Sequence, residues 1–506
     1  MEKLFHLQER KTTTKAELIG GVTTFMAMSY ILSVNPGMFA SLGTVSFGAV
    51  YIATALSAVV GTLLIGLLAN LPLAQASGMG LNAFFVYTVC FGMGFSYANA
   101  LLFVLVDGIL FILLTVTGLR KLIFEAIPQT VKQAIPAGIG LFIAFLGFQD
   151  SGLIVPNSST GVSLASFNLL GDAPWGSIMP LLVSIVTLIV MTALSKKGVK
   201  GAIMWSILGG TAVYYLLSLT VSGFDYSFIT GSAMNPLTAF KDFGTQAGGK
   251  VFTEGFDFSG YLAQDNHSVS GLVIAFITTA LAFCMVDMFD TMGTLWGACK
   301  AGNLTRRSED GTETIPNMDR AMLADAIATC TGAVCGTSTV TTFVESSSGV
   351  AAGARTGLSS MFTAALFFIA LFFAPVAALI PACAYAAALI YVGILMMGCM
   401  RDIDWHDPEV ALPAFLTVVI MPFAYNISYG IAFGLISFIG VKICVGKIKE
   451  INVGTWIITL LFAAMFFLTH RSDRTKQPPK RRHFFLLGGC FFRFDERTCK
   501  KHGFHL

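Results

Sequence analysis

Glu345 sits within STVTTFVESSSGVAAGARTG, residues 338–357, after a β-branched run and before small residues and glycine. Asp287 and Asp290 occur in AFCMVDMFDTMGTL, where i,i+3 spacing puts them on one helix face with Phe283 and Thr294. Asp325 in MLADAIATC and Asp107 in LVDGILF are also flanked by apolar residues. Ionisable groups in such segments are costly and mark substrate or ion pathways. A carboxylate at a helix start is held as the anion and accepts hydrogen bonds, while nearby backbone N–H groups donate. Together they suit a flat, neutral heterocycle with alternating donors and acceptors. The Asp287/Asp290 pair could exchange a proton and so couple uptake to a proton gradient. For Asp107 and Asp325 structural pairing is expected, with Asp325 kept as a weaker site candidate. Arg355 is expected to snorkel or pair with a loop. No metal cluster and no nucleophile–base pair is evident, so neither a metal nor an enzyme is expected.

These residues lie in a chain made for a bilayer. Of 506 residues, 55% are hydrophobic and only 12% charged, with a mean hydropathy of +0.76, whereas soluble domains are about a quarter charged. The first residues, MEKLFHLQERKTTTKAE, lack the apolar core of a signal peptide, so no leader is expected. The ten cysteines are scattered and read as small packing residues.

Apolar stretches predict fourteen spans, at 17–34, 48–70, 72–94, 97–118, 134–154, 177–194, 198–221, 270–294, 319–337, 338–354, 356–380, 381–399, 409–425 and 428–446. Lys3, Arg10, Lys11 and Lys15 predict a cytoplasmic N-terminus. Arg120, Lys121 and Lys132, the SKKGVK loop, Lys300, Arg306, Arg307 and Arg401, and finally Lys442, Lys447 and Lys449 then also fall inside. The chain is expected to be a multi-pass protein of the cell (plasma) membrane. Segment 453–469 is surplus: it lies along the interface, or it is a span and 409–446 forms a single crossing. The 471–506 tail has ten Lys and Arg against three acids. It reads either as a basic cytoplasmic tail near anionic lipid or as a C-terminus foreign to the rest.

A repeat lies within this pattern. NLPLAQASGMGLNAFFVYTV (70–89) and GTSTVTTFVESSSGVAAGARTG (336–357) are both polar and glycine-rich where a continuous helix should run. They occupy the third span of the first seven and the third of the second seven. Two seven-span halves have opposite orientations in the membrane. Interrupted spans at matching positions point to a transporter site, because backbone leaves a helix inside a bilayer only where protein or a cavity satisfies it. The predicted elements are a strand over 71–77 with a half-helix from Ser77 or Gly78, and a strand ending at 344 with a half-helix from Glu345. Gly349 and Gly353 form a GxxxG for close packing in the second half-helix.

The runs GGVTTFMAMSYILSVNP (20–36), SGMGLNAFF (77–85), VDMFDTMGTL (286–295) and GTSTVTTFVESSSGVAAGARTGL (336–358), in this order, resemble the nucleobase–cation symporter superfamily, in its AzgA-like purine permease branch. The resemblance covers roughly residues 5 to 446. It implies an all-α polytopic fold with two inverted seven-span repeats and short strands in spans 3 and 10. After a cytoplasmic N-terminus (1–16), a core domain comprises 17–118 and 267–380, and a gate domain 119–222 and 381–446. An outer loop spans 223–266, with the surplus segment at 447–470 and the tail at 471–506. By resemblance Glu345 and Asp287 contact a purine, and Asp290 supports the site or, with Asp287, the proton coupling. Gly80, Asn82 and Phe84 line the site, with Phe84 positioned to stack on the ring. Thr341 completes the binding set, and Thr23 and Thr24 are weaker candidates. The implied activity is proton-coupled import of hypoxanthine, guanine or adenine. No cofactor beyond the coupling proton and no nucleic acid is implied, and a homodimer through gate helices is. Ser77 departs from the pattern, which has proline there. An anion carrier of the same architecture and an ion or proton channel are the rival readings, and the acidic residues at the site argue against an anion.

Overall fold

The computed structural model describes residues 2–119, 126–171, 173–221, 235–263, 269–301, 304–307, 313–315, 317–469, 486–487 and 490–491. Arg120, Lys121, part of the 223–266 loop and nearly all of the 471–506 tail lie outside the described residues. Among the described residues, nine helices are long and apolar enough to cross a membrane.

The first half runs through α1 (Thr14–Met28), α2 (Ile31–Ala40) and α3 (Phe47–Leu64). Strand β1 (Gln75–Ser77) follows, then α4 (Met79–Ala83), continued by a wide π turn over Phe84–Gly92. Helices α5 (Tyr97–Val116), α6 (Gln129–Asp150), α7 (Trp175–Lys196) and α8 (Ala202–Ser218) complete it. The second half has α9 (Val269–Ala301), α10 (Met318–Cys335), β2 (Val340–Thr342) and α11 (Ser346–Ala351). It ends with α12 (Gly357–Ala370), α13 (Ala382–Met396), α14 (Pro408–Phe423), α15 (Ile427–Cys444) and α16 (Val453–Thr469).

Local chemistry sets several of these boundaries. Thr13, Ser46 and Ser96 begin α1, α3 and α5 by accepting a bond from a first-turn N–H, and Ser96 with Asn99 forms a reciprocal capping box. The first span breaks between α1 and α2 at Ser29–Tyr30, one turn and a half before Pro36, whose ring removes an N–H and crowds the carbonyl four residues back. Among the last helices, α14 and α15 pack along each other across 424–426, where Tyr425 is left-handed (φ 53°) and Asn426 caps α15. The single-crossing alternative for 409–446 is therefore not adopted. Helix α16 packs on α15 and α9.

The packing falls into two groups. In one, α10 lies on α3 and α5, α12 on α1 and α3, and α9 on α5. In the other, α6 lies on α13 and α14, α7 on α8 and α13, and α14 on α15. Fewer contacts join the groups, chiefly α1 with α8, α9 with α6, and α2 with α13.

Strands β1 and β2 pair antiparallel, with Gln75 opposite Thr342, Ala76 opposite Thr341 and Ser77 opposite Val340. Both are fully buried. Pairing satisfies backbone groups that would otherwise be orphaned in a low-dielectric interior. The first strand is shorter than the predicted 71–77, and the second ends at Thr342 rather than at 344. Gly353 is not within the second half-helix. It follows the end of α11 with φ +116°, a conformation that terminates a helix, so only Gly349 serves close packing.

Candidate functional site

The two half-helices leave opposite ends of the ribbon, α4 from Ser77 and α11 after Thr342. Glu345 occupies the cap position of α11 and is buried. The Tyr30 hydroxyl, at the break between α1 and α2, donates to Glu345 Oε1 at 2.6 Å. Thr341, in β2, donates to Asp290 Oδ2 at 3.3 Å. A Cβ added at Gly78 would sit 2.9 Å from Thr341 Oγ1 and 3.5 Å from Asp290 Oδ2, so glycine keeps that corner open. Asp290 acts electrostatically on both Tyr30 and Glu345. Tyr30 with Glu345, and Thr341 with Asp290 beside Gly78, are therefore two hydrogen-bonded pairs near enough to interact electrostatically, an acidic cluster where the interrupted spans cross.

The other expected site residues have different surroundings. Asp287 is buried, and its Oδ2 lies 3.3 Å from the Thr329 hydroxyl of α10, which also reaches the Val340 carbonyl of β2 at 3.2 Å. Asp325 accepts from Gln75 Nε2 at 2.9 Å and from Thr291 at 2.7 Å, tying β1 to α9. Asn82 accepts from Ser338, and Phe84 meets Phe283 edge-on with centroids 4.8 Å apart. A Cβ at Gly80 would touch Ile427 and Ile139, so this glycine faces the second helix group. Thr23 bonds back to the Ile19 carbonyl of its own helix. Thr24 lies against Gly349, where an added Cβ would come within 2.0 Å of its hydroxyl oxygen. Neither threonine belongs to the acidic cluster.

One expectation about the site chemistry is not met. The N–H groups of Ser346, Ser347 and Ser348 already donate to the carbonyls of Phe343, Val344 and Glu345, at 3.1, 3.0 and 2.9 Å. The start of α11 thus offers a carboxylate rather than a row of backbone donors. The Arg355 guanidinium donates to the carbonyl of Val350, in the last turn of α11, and to that of Ala354, in the turn that follows it. Buried Glu17 accepts the N–H groups of Arg355 and Thr356, locking this turn to the first span. Sequence reasoning missed Tyr30 and Glu17. Tyr30 lies inside the 20–36 run quoted above, but nothing local tells which way a tyrosine at a helix break points.

A buried acidic cluster at the crossing of two broken spans, in a bundle of apolar helices, defines a multi-pass membrane carrier. A cyanobacterial bicarbonate transporter, BicA, has a transmembrane domain of this fold: it matches with TM-score 0.54 at 17% identity, over 84% of this chain and 97% of that one. The xanthine/uracil model of the Permease family matches residues 15–433, and the chain belongs to that family. Among its relatives, the guanine/hypoxanthine permease PbuO of Bacillus subtilis is 37% identical over 474 residues, 92% of this chain and 99% of that protein. The adenine permease AdeQ of Escherichia coli is 33% identical over 470 residues, 92% and 96% of the two chains. The protein is a transporter, not an enzyme.

Proposed function

We propose that this chain imports purine nucleobases (hypoxanthine, guanine or adenine) across the plasma membrane by proton symport. The observation that carries this reading is the convergence of Glu345 and Asp290 on the β1–β2 corner. Two carboxylates, each with one oxygen held by a tyrosine or threonine hydroxyl, give acceptors for the N–H groups of a purine ring. The relatives named as guanine/hypoxanthine and adenine permeases support the substrate class. Of the α9 pair, Asp290 is the one we assign to the base, because Asp287 is turned to Thr329. Thr341 lines the same corner. Gly80, Asn82 and Phe84 of the third span are kept in the proposal as substrate-lining residues.

The fourteen-span inverted repeat is part of the proposal, supported by the equivalent broken segments at 75–92 and 340–351. The helix group holding α1–α5 and α9–α12 is assigned as the core domain, and the group holding α6–α8 and α13–α15 as the gate. The core moves against the gate in alternating access. A cytoplasmic N-terminus follows from the distribution of Lys and Arg, and a homodimer through the gate is part of the same reading.

Radiolabelled uptake of a purine and pyrimidine panel, with and without a protonophore, tests the function. Saturable purine uptake abolished by the protonophore is expected. A sodium requirement without proton movement would refute the coupling. Glu345→Ala is expected to abolish uptake while the protein still reaches the membrane, and normal uptake by that variant would sink the site assignment.

A further inference from the structure

We propose that Asp107, Asp287 and Asp325 form a proton-carrying cluster distinct from the nucleobase contacts, and that the proton bound there accompanies the transported base. This deepens the symport reading above and rests on it. Asp107 lies within α5 and is fully buried. Neither of its oxygens accepts from an N–H or O–H group, and the Cys284 thiol, a weak donor, is what acts on it. Asp287 Oδ1 has no hydrogen-bond partner either. The three carboxyl groups act electrostatically on one another. The titratable groups facing them are Asp107 from α5, Cys284, Asp287 and Asp290 from α9, and Asp325 and Cys330 from α10. Among the described residues, no Lys, Arg or His acts on Asp107 or Asp287.

Asp107 and Asp287, buried carboxylates without a basic partner, require a compensating cation, since an unpaired charge in such an interior costs several kcal/mol. Among the described residues, no group of three or more acidic, His or Cys side chains is placed to hold a metal ion. A proton meets the requirement without a converging cage. It binds one carboxylate oxygen, cancels one charge and supplies the O–H donor that the Asp107 and Asp287 oxygens lack. The cluster also touches the transport machinery: Asp325 holds Gln75 of β1, while Thr341 of β2 holds Asp290. Proton and base are thus carried by one helix group, on two sides of the same ribbon.

The test uses the full chain in proteoliposomes with labelled hypoxanthine. It reads purine-evoked proton entry, uphill accumulation under an imposed pH gradient, and gradient-independent exchange. Asp107→Asn is expected to keep exchange and lose both proton entry and accumulation, and Asp107→Glu to restore both. If Asp107→Asn moves protons with hypoxanthine as the parent chain does, the inference is overturned. It is overturned equally if exchange is lost with coupling, because Asp107 is then structural. If the parent chain itself transports hypoxanthine without proton entry, the symport reading fails first, whatever the variants do.

Discussion

At the scale of residues, the site is organised by one hydroxyl. Tyr30 is nearly fully buried at a helix break and fixes one oxygen of Glu345, leaving the second for a ligand. Hydrogen bonds to charged groups contribute about 1.5–3 kcal/mol. Tyr30→Phe is therefore expected to raise the KM for purine about tenfold, the lower end of that range, with unchanged protein in the membrane. Uptake kinetics against surface expression checks this, and an unaltered KM would mean that Glu345 is positioned by something else. The carboxylates were legible in the sequence because a charge in an apolar run has few explanations. Their partners were not. The i,i+3 spacing puts Asp287 and Asp290 on one face of α9, but a face is wide. Only the packing of α10 on one side and β2 on the other turns the first toward Thr329 and the second toward Thr341.

At the scale of elements, Ser77 departs from the proline of the family pattern, and the ladder explains why either residue suits. In an antiparallel pair, bonded and non-bonded residue pairs alternate. Gly78 N–H donates to the Thr339 carbonyl and Phe343 N–H to the Ala74 carbonyl. Ala76–Thr341 is therefore a bonded pair, and Ser77–Val340 is not. Consistent with this, Gln75 N–H, two residues before Ser77, turns outward to Thr62. Ser77→Pro is expected to keep uptake, at the cost of the side-chain bond with Thr337, about 1 kcal/mol. Ala76→Pro removes a ladder donor and is expected to abolish uptake. Equal uptake by the two variants would contradict this register. The strand at 340–342 was predictable from its β-branched run. Its shortness was not, because Phe343 to Glu345 are drawn into the turn that starts α11 by bonds from three serine N–H groups. The role of Gly353 was equally hidden: a glycine four residues after another reads as packing surface until the helix is seen to end before it.

At the scale of the whole molecule, two packed groups meet across a thin seam. A Cβ at Gly37 on α2 would lie 3.0 Å from the Tyr385 hydroxyl on α13. Gly37→Cys with Tyr385→Cys, in a chain whose exposed Cys444 is replaced, is expected to be bridged by a short bis-methanethiosulfonate, which loses two methanesulfinates and leaves disulfides that a reductant cleaves. Bridging should stop uptake, and cleavage should restore it. Full transport by the bridged protein would show that the groups need not move apart. No stretch of sequence says which distant helices touch, and the core and gate ranges were implied by the resemblance alone. The ribbon joining the halves also sets a timetable. Gln75 and Thr342 are 267 residues apart in the chain, so at about 5–20 residues per second β1 is made on the order of tens of seconds before its partner strand. Throughout that interval its backbone must be sheltered by water, the insertion machinery or temporary neighbours. The ribbon is thus completed only well into the second half of synthesis, and damage to β2 should be felt as failure of the first half to settle.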